Sequence, residues 1–234
     1  MNELEQIEQR FNFTYPKLYR QLFLDGMLNT GGEYGPGWYA IYGEQFRENP
    51  TLLFFGFDFV LLQWKRIIEE IEAFGDTDNY RQIKSGLQFV PFGQTGSGDL
   101  YVFQFDRQNG DDVPVVQMYH DYDMAVVLAK NLQDFIFRDL LEDLTTVNCS
   151  NTLDGDLKTN AANILRTHRP YLKQSQIEKL EEIYGRELLE YTEITSSGLE
   201  LSTTGLISQD ELEEILNQEI GCDMLGIEFQ YTHY

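Results

Sequence analysis

The residue types best suited to chemistry lie near the middle of the chain. Gly93, Gly96 and Gly98 fall within six positions of residues 90–106, VPFGQTGSGDLYVFQFD. Glycines at such spacing cradle a phosphate only where they open a helix whose N-terminal amides face the anion. Here they precede residues 100–105, which are apolar and aromatic, and no lysine stands at the Walker spacing. The glycines are therefore assigned to a structural turn between two strands, where positive φ and close backbone approach are needed. Asp99, the polar residue beside them, is a candidate partner contact. His120-Asp121-Tyr122-Asp123 offers an imidazole and two carboxylates. A metal could use such donors, but neighbours at a strand end point to opposite faces, so a solvated turn is expected. Residues 200–211 follow a calcium loop in part, with Gly205 at the sixth position and Glu211 at the twelfth. Glu200, Ser202 and Thr204 at the first, third and fifth positions leave it short of charge. Ser208-Gln-Asp-Glu211 is already explained as a capping box. No metal, cofactor or catalytic residue is assigned. The sequence contains no G-x-S-x-G, H-E-x-x-H or C-x-x-C, and carboxylate pairs carry little information in so acidic a chain. His168 and His233 stand alone and are read as structural or surface residues.

A second group of candidates suits recognition rather than reaction. Tyr34, Trp38 and Tyr39 sit in or beside the Gly/Pro-rich stretch EYGPGWYAIYG, and loop aromatics make good interface anchors. For Trp38 the favoured reading is a core residue of a strand over 38–42; Tyr34 is left open. Asp111 and Asp112 lie in an acidic turn begun by Asn109-Gly110, a strong turn signal.

The elements that must position these residues follow from period and punctuation. Asn2 caps a first helix with Glu5 at the capping-box position and Leu4, Ile7 and Phe11 on one face. Pro16 opens a second helix, ended by Gly26 and Gly31-Gly32. Residues 51–62, apolar almost throughout, suit a buried strand or a strand running into a helix. A helix over 63–74 presents Trp64, Ile67, Ile68 and Ile71. The central hairpin, a strand over 114–119, a short strand over 122–129 and a helix capped by Asn131 complete residues 1–147. The polar stretch 147–157 marks a boundary, and 148–234 is read as an acidic, mainly helical extension. Ser175 and Ser208 open two of its helices, and 227–231 is a weak terminal strand. The fold class expected is α+β, a mostly antiparallel sheet with helices packed on it, plus that extension.

Composition narrows the function. The chain has 234 residues, 17 basic and 39 acidic, for a net charge of −22. Residues 1–147 carry 11 basic and 23 acidic side chains, and 148–234 carry 6 and 16, so the acidity is not a tail. Such a field repels nucleic acid and anionic membrane and steers cationic partners. Aromatics make up 14%, enough to fill a core. No apolar run approaches the length of a membrane span, and the polar opening MNELEQIEQR is not a secretory signal. With two cysteines, Cys149 and Cys222, both read as packing residues, a reducing cytoplasm is the expectation. The oligomeric state expected is a monomer or small homo-oligomer.

These blocks, taken in order, resemble a family. Tyr15-Pro16, an amphipathic helix and Asn29-Thr30-Gly31-Gly32 resemble the "LP…helix…NGG" opening of the SUKH superfamily, with Tyr15 in place of Leu and Thr30 splitting the last motif. Trp38-Tyr39-Ala40-Ile41-Tyr42-Gly43 is similar to its first strand. Val90-Pro91-Phe92-Gly93, Gly96-Ser97-Gly98-Asp99-Leu100-Tyr101-Val102-Phe103 and Asp106 are similar to its "ipfg…ggGdlyyfD" signature. Pro114-Val115-Val116, Leu128-Ala129, Asn131-Leu132 and Phe135-Ile136 resemble its last strand and closing helix. The resemblance covers about residues 1–145. It implies an α+β domain with a binding rather than an enzymatic role. Bacterial members neutralise cognate polymorphic toxins, commonly nucleases, by direct contact. The expectation is therefore an immunity protein for a basic toxin domain, with an intracellular adaptor lacking any toxin partner as the alternative.

Overall fold

In the computed structural model the elements run α1 (Glu3–Phe11), α2 (Lys17–Leu24), α3 (Trp38–Glu48), β1 (Val60–Leu61), α4 (Trp64–Gly75), β2 (Phe89–Gln94), β3 (Leu100–Gln104), β4 (Val115–Met118) and β5 (Met124–Ala129). There follow α5 (Leu132–Glu142), α6 (Leu157–His168), α7 (Gln174–Tyr184), β6 (Leu189–Ile194), β7 (Glu200–Gly205), α8 (Gln209–Glu219) and β8 (Glu228–Gln230). The structure describes every residue except 55, 57, 77, 79–81, 148–155, 195–197, 199, 222–224 and 233–234. Cys149, Cys222 and His233 thus lie outside the described residues. The chain is α+β, as the hydrophobic patterning predicts.

Two compact units are interleaved along the sequence. The first comprises Met1–Gly35, Asp58–Phe135 and Cys222–Tyr234, and the second Pro36–Phe57 and Ile136–Gly221. This partition does not follow a single cut after residue 147, because β8 belongs to the first unit and α3 to the second.

The first unit is built on a six-stranded antiparallel sheet in the order β1-β2-β3-β4-β5-β8. Ile83 bridges Thr232, and the Lys84 N–H donates to the Tyr231 carbonyl at 2.9 Å. The last strand thus returns beside the segment that enters β2, and the sheet is curled. Tyr15 and Tyr19 lie over one face, where Tyr19 meets Phe103 at a centroid distance of 5.3 Å and Phe92 stacks on Phe103 at 4.5 Å. Phe135 and Ile67 from α5 and α4 are buried as well. Edge-to-face and offset stacking of this kind adds to the area buried. The helices start where their caps dictate. The Asn2 side chain accepts from the Glu5 N–H at 2.8 Å and Glu5 returns a bond to the Asn2 N–H. Asn131 accepts from the Asp134 N–H at 2.9 Å. Glu8 of α1 is buried and takes the Tyr15 N–H and the Arg20 guanidinium at 2.8 and 2.7 Å, which ties α1 to α2.

The second unit is mostly helical, with one added hairpin. Its helices include α3, where the sequence predicts a strand over 38–42. The β-favouring residues of WYAIY misdirect that expectation. What decides is the four-residue spacing of Trp38, Tyr42 and Phe46, which puts all three rings on one helix face, with Trp38 stacked on Phe46 at 5.7 Å. Among the described residues of 51–62 only Val60–Leu61 forms a strand, while Leu52 and Leu53 are buried in turns. α6 packs on α3 through Asn163 and Arg166, which donate to the Arg47 and Glu48 carbonyls at 3.1 and 2.6 Å. Residues 189–205 pair as an antiparallel hairpin, β6 with β7, where helix was expected. The segment resembling a calcium loop is therefore strand β7 leading into α8, whose cap Ser208 accepts from the Glu211 N–H at 3.2 Å. α7 begins before Ser175: Gln176 accepts from the Lys173 N–H at 3.0 Å, and Ser175 instead donates to Glu219 at 2.7 Å.

Candidate functional site

The glycine-rich stretch is a hairpin connection between β2 and β3, as its turn chemistry predicts, and each glycine has a separate reason. The register shifts between Pro91 and Gly93, and a Cβ on Gly93 would lie 2.5 Å from the Phe59 ring. Gly96 donates its N–H to Asp58 at 2.6 Å, and a Cβ there would approach the same carboxylate at 2.9 Å. Gly98 has φ of +102°, which residues bearing a Cβ avoid. The Thr95 N–H donates to the Asp99 carbonyl at 2.8 Å, and the Thr95 hydroxyl accepts from the Asp99 N–H at 2.9 Å. With β3 rather than a helix following, no set of helix-terminal amides faces an anion.

Asp99 turns inward. It is 8% exposed and accepts from the His120 N–H at 2.9 Å, from the Gln117 amide at 2.9 Å, and from the His120 ring at 2.7 Å. Burial by itself would raise the Asp99 pKa. The bonds from His120 and Gln117 outweigh it and hold the carboxyl below its ordinary value. Asp99, His120 and Asp121 bring one donor atom each within 4.8 Å of one another, but a metal would have to displace the Asp99–His120 bond. Asp123 is drawn off to bond Gln230 of β8. The cluster clasps the β2–β3 turn to the end of β4.

One recessed surface of the first unit is a groove of about 530 Å³. Its walls are Phe23 from α2, residues 28–33, and Gln63, Trp64 and Lys65 at the start of α4, with Glu3 of α1 at the rim. Local bonds shape it. Asn29 accepts from the Gly31 N–H at 2.8 Å, an Asx turn, and Gln63 donates to the Gly32 carbonyl and to Thr30. Phe23 meets Trp64 edge-on at 5.7 Å. A second hollow of about 400 Å³ adjoins it and shares Glu33, Leu62, Gln63 and Lys65; Tyr34, Val60, Leu61, Arg66, Glu69 and Gln94 complete its walls. It lies along edge strand β1. Tyr34 is 44% exposed, yet partial burial pushes its hydroxyl up to about 12. Arg66 and Lys65 are paired with Glu69 and Glu70 on their own helix. Lys65 lines the groove with Glu3 and Glu33, but its ion pair is to Glu69.

The other candidates are dispersed. Trp38 and Tyr39 belong to the second unit, where Trp38 packs on Phe46 and Phe54 and a Cβ on Gly43 would lie 3.0 Å from the Tyr39 ring. Asp111 and Asp112 are exposed, and each already makes a tether. Asp111 accepts from the Lys17 N–H at 3.1 Å, and Asp112 from the Asn131 amide at 2.8 Å. The structure therefore brings together Gly93, Gly96, Gly98, Asp99 and His120, and sets Tyr34 beside a groove whose Phe23, Trp64, Glu3 and Glu33 were not singled out from sequence. The Asn29–Gly32 turn beside an aromatic helix end was the available signal.

A curled antiparallel sheet with α1, α2 and α4 packed on it, a glycine-pinned central hairpin and an aromatic groove at its edge define an α+β domain whose accessible features suit binding. The family model described as SMI1 / KNR4 family (SUKH-1) matches residues 2–138, and the chain belongs to that family. Neither the comparison with curated proteins nor that with solved structures gives a match. Among the described residues no helix is long and apolar enough to cross a membrane.

Proposed function

We propose that the protein is an immunity-type binding protein that neutralises a basic toxin domain by direct contact, without catalysis of its own. Membership of the SUKH-1 family over residues 2–138 carries this reading. The net charge of −22 supports it, since a domain that handles phosphates must present basic surface and an acidic partner associates with it rapidly. We place the docking surface at the groove beside Tyr34 and Trp64. Aromatic walls suit an interface anchor, and Glu3 and Glu33 suit a basic segment of the partner.

The test is co-expression with the toxic domain encoded beside the gene. Growth should be restored and a complex recovered at low ionic strength, with association slowing as salt rises. Absence of both rescue and complex at low salt overturns the reading. Tyr34→Ala should weaken that complex by ~10-fold or more while leaving the melting temperature unchanged. Rescue with an unaltered Tyr34→Ala complex would move the docking surface elsewhere and leave the binding role intact.

A further inference from the structure

We propose that Asn109 is a site of spontaneous deamidation, and that its conversion to isoaspartate releases a clasp that holds the starts of α2 and α5. Asn109 is the only asparagine in the chain followed by glycine. The residue after an asparagine supplies the nucleophile, its backbone nitrogen, and glycine has no Cβ to obstruct the approach. Residues 106–112 are all exposed. Among the described residues nothing bonds to the Asn109 side-chain amide or to the Gly110 N–H. Gly110, with φ of +64°, stands at the tip of a two-residue hairpin. There the Asn109 N–H donates to the Asp112 carbonyl at 2.8 Å, and the Asp112 N–H donates to the Asn109 carbonyl at 3.1 Å. This reciprocal pair pins the Asn109–Gly110 peptide. The reaction therefore runs from hairpin tips that have frayed, and the frequency of local opening sets its pace.

The chemistry is redox-neutral and needs only water. A solvent base removes the Gly110 amide proton as its nitrogen attacks the Asn109 Cγ. The new C–N bond closes a five-membered succinimide, the Cγ–Nδ2 bond breaks, and Nδ2 leaves as ammonia after taking up a proton. Water then opens the ring. Attack at Cγ restores the normal backbone and leaves aspartate at position 109. Attack at the main-chain carbonyl carbon breaks its bond to the Gly110 nitrogen and leaves isoaspartate, with an extra methylene in the main chain. Either product adds one negative charge beside Asp111 and Asp112.

Only the second product alters the hairpin's length, and the location gives that change a consequence. Asp111 accepts from the N–H of Lys17, the first residue of α2, at 3.1 Å. It serves a helix-terminal donor whose own cap residue, Pro16, supplies no side-chain bond. Asp112 accepts from the Asn131 amide at 2.8 Å, and Asn131 in turn caps α5 through the Asp134 N–H. A methylene inserted at position 109 shifts Asp111 and Asp112 out of register with both partners. The slow chemistry of one side chain thus weakens two helix starts together.

The purified chain is aged in mildly alkaline buffer and followed by ion exchange and by peptide mapping with electron-transfer fragmentation, which separates aspartate from isoaspartate. Position 109 should convert before any other asparagine, and Asn109→Gln should abolish the first acidic species. Conversion elsewhere first, or an acidic species that persists in Asn109→Gln, overturns the site. Asn109→Asp supplies the charge without the methylene. The isolated isoaspartate form should melt below Asn109→Asp and lose hydrogen-exchange protection in the first turns of α2 and α5. Equal melting and protection in the two forms overturns the clasp.

Discussion

Acidification should unlock the second unit at one buried imidazole. His168 is fully buried at the end of α6. Its Nε2 accepts from the Leu53 N–H at 3.1 Å, and its Nδ1 bonds the Ile164 carbonyl at 3.0 Å. The first of these contacts requires the neutral ring, because a protonated imidazole has no acceptor left. Leu53 itself is held at φ of +51°, a conformation a leucine adopts only when its surroundings impose it. Burial pushes the His168 pKa down from 6.5 to about 4, against a smaller opposing effect of the Ile164 carbonyl.

With the folded pKa below the unfolded one, the unfolded chain binds more protons between the two values. Stability from this group is therefore fully present above 6.5 and is lost as the pH falls towards 4. Linkage gives a loss of about 1.4 kcal/mol at about pH 5.5 and about 2.5 kcal/mol at about pH 4.5. The chain's many carboxylates also titrate in this range, so the measurement is a difference. Urea unfolding of the native protein and of His168→Gln, whose amide can still accept from Leu53, is compared from about pH 7.5 to about pH 4.5, and carboxylate effects common to both cancel. The native protein should lose its advantage over His168→Gln by the amounts above. A difference that stays flat across the range, or an imidazole that titrates near 6.5 by NMR, refutes the reasoning.

Two further outcomes concern the central hairpin. Gly93→Ala forces a Cβ to within 2.5 Å of the Phe59 ring and should destabilise the fold by ~1–3 kcal/mol, read as a lower urea midpoint with an unchanged slope. Asp99→Asn removes the charge from a buried carboxylate that three donors face and should cost ~1–3 kcal/mol; because Asp99 is only 8% exposed, affinity of the folded fraction for the proposed partner should be unchanged, and a fall in affinity at full folding would return Asp99 to the interface.

What could be read from the sequence was what is decided locally. The cap at Asn2 and the Ser208–Glu211 pair involve bonds spanning three residues, and the glycine hairpin is a turn between adjacent strands, so side-chain chemistry within one window suffices. Helix α3 was misjudged because local β-propensity pointed one way and the spacing of Trp38, Tyr42 and Phe46 the other; burial of one aromatic stripe prevailed. The β6–β7 hairpin left a period-two trace in LEYTEI, weaker than the capping signals on either side of it. Of the candidate site, single residues such as Tyr34 and Asp99 could be singled out in this way, but not their surroundings. Asp99 is defined by His120, twenty-one positions on, and the groove by Glu3, Phe23, Glu33 and Trp64, which share no segment. The Asp58–Gly96 bond spans thirty-eight positions and joins an aspartate at φ of +51° to a glycine whose Cβ would collide with it. Each half looks unremarkable in its own window. Only the sheet that sets β1 against β2 makes the pair necessary, so it becomes visible once that pairing is known.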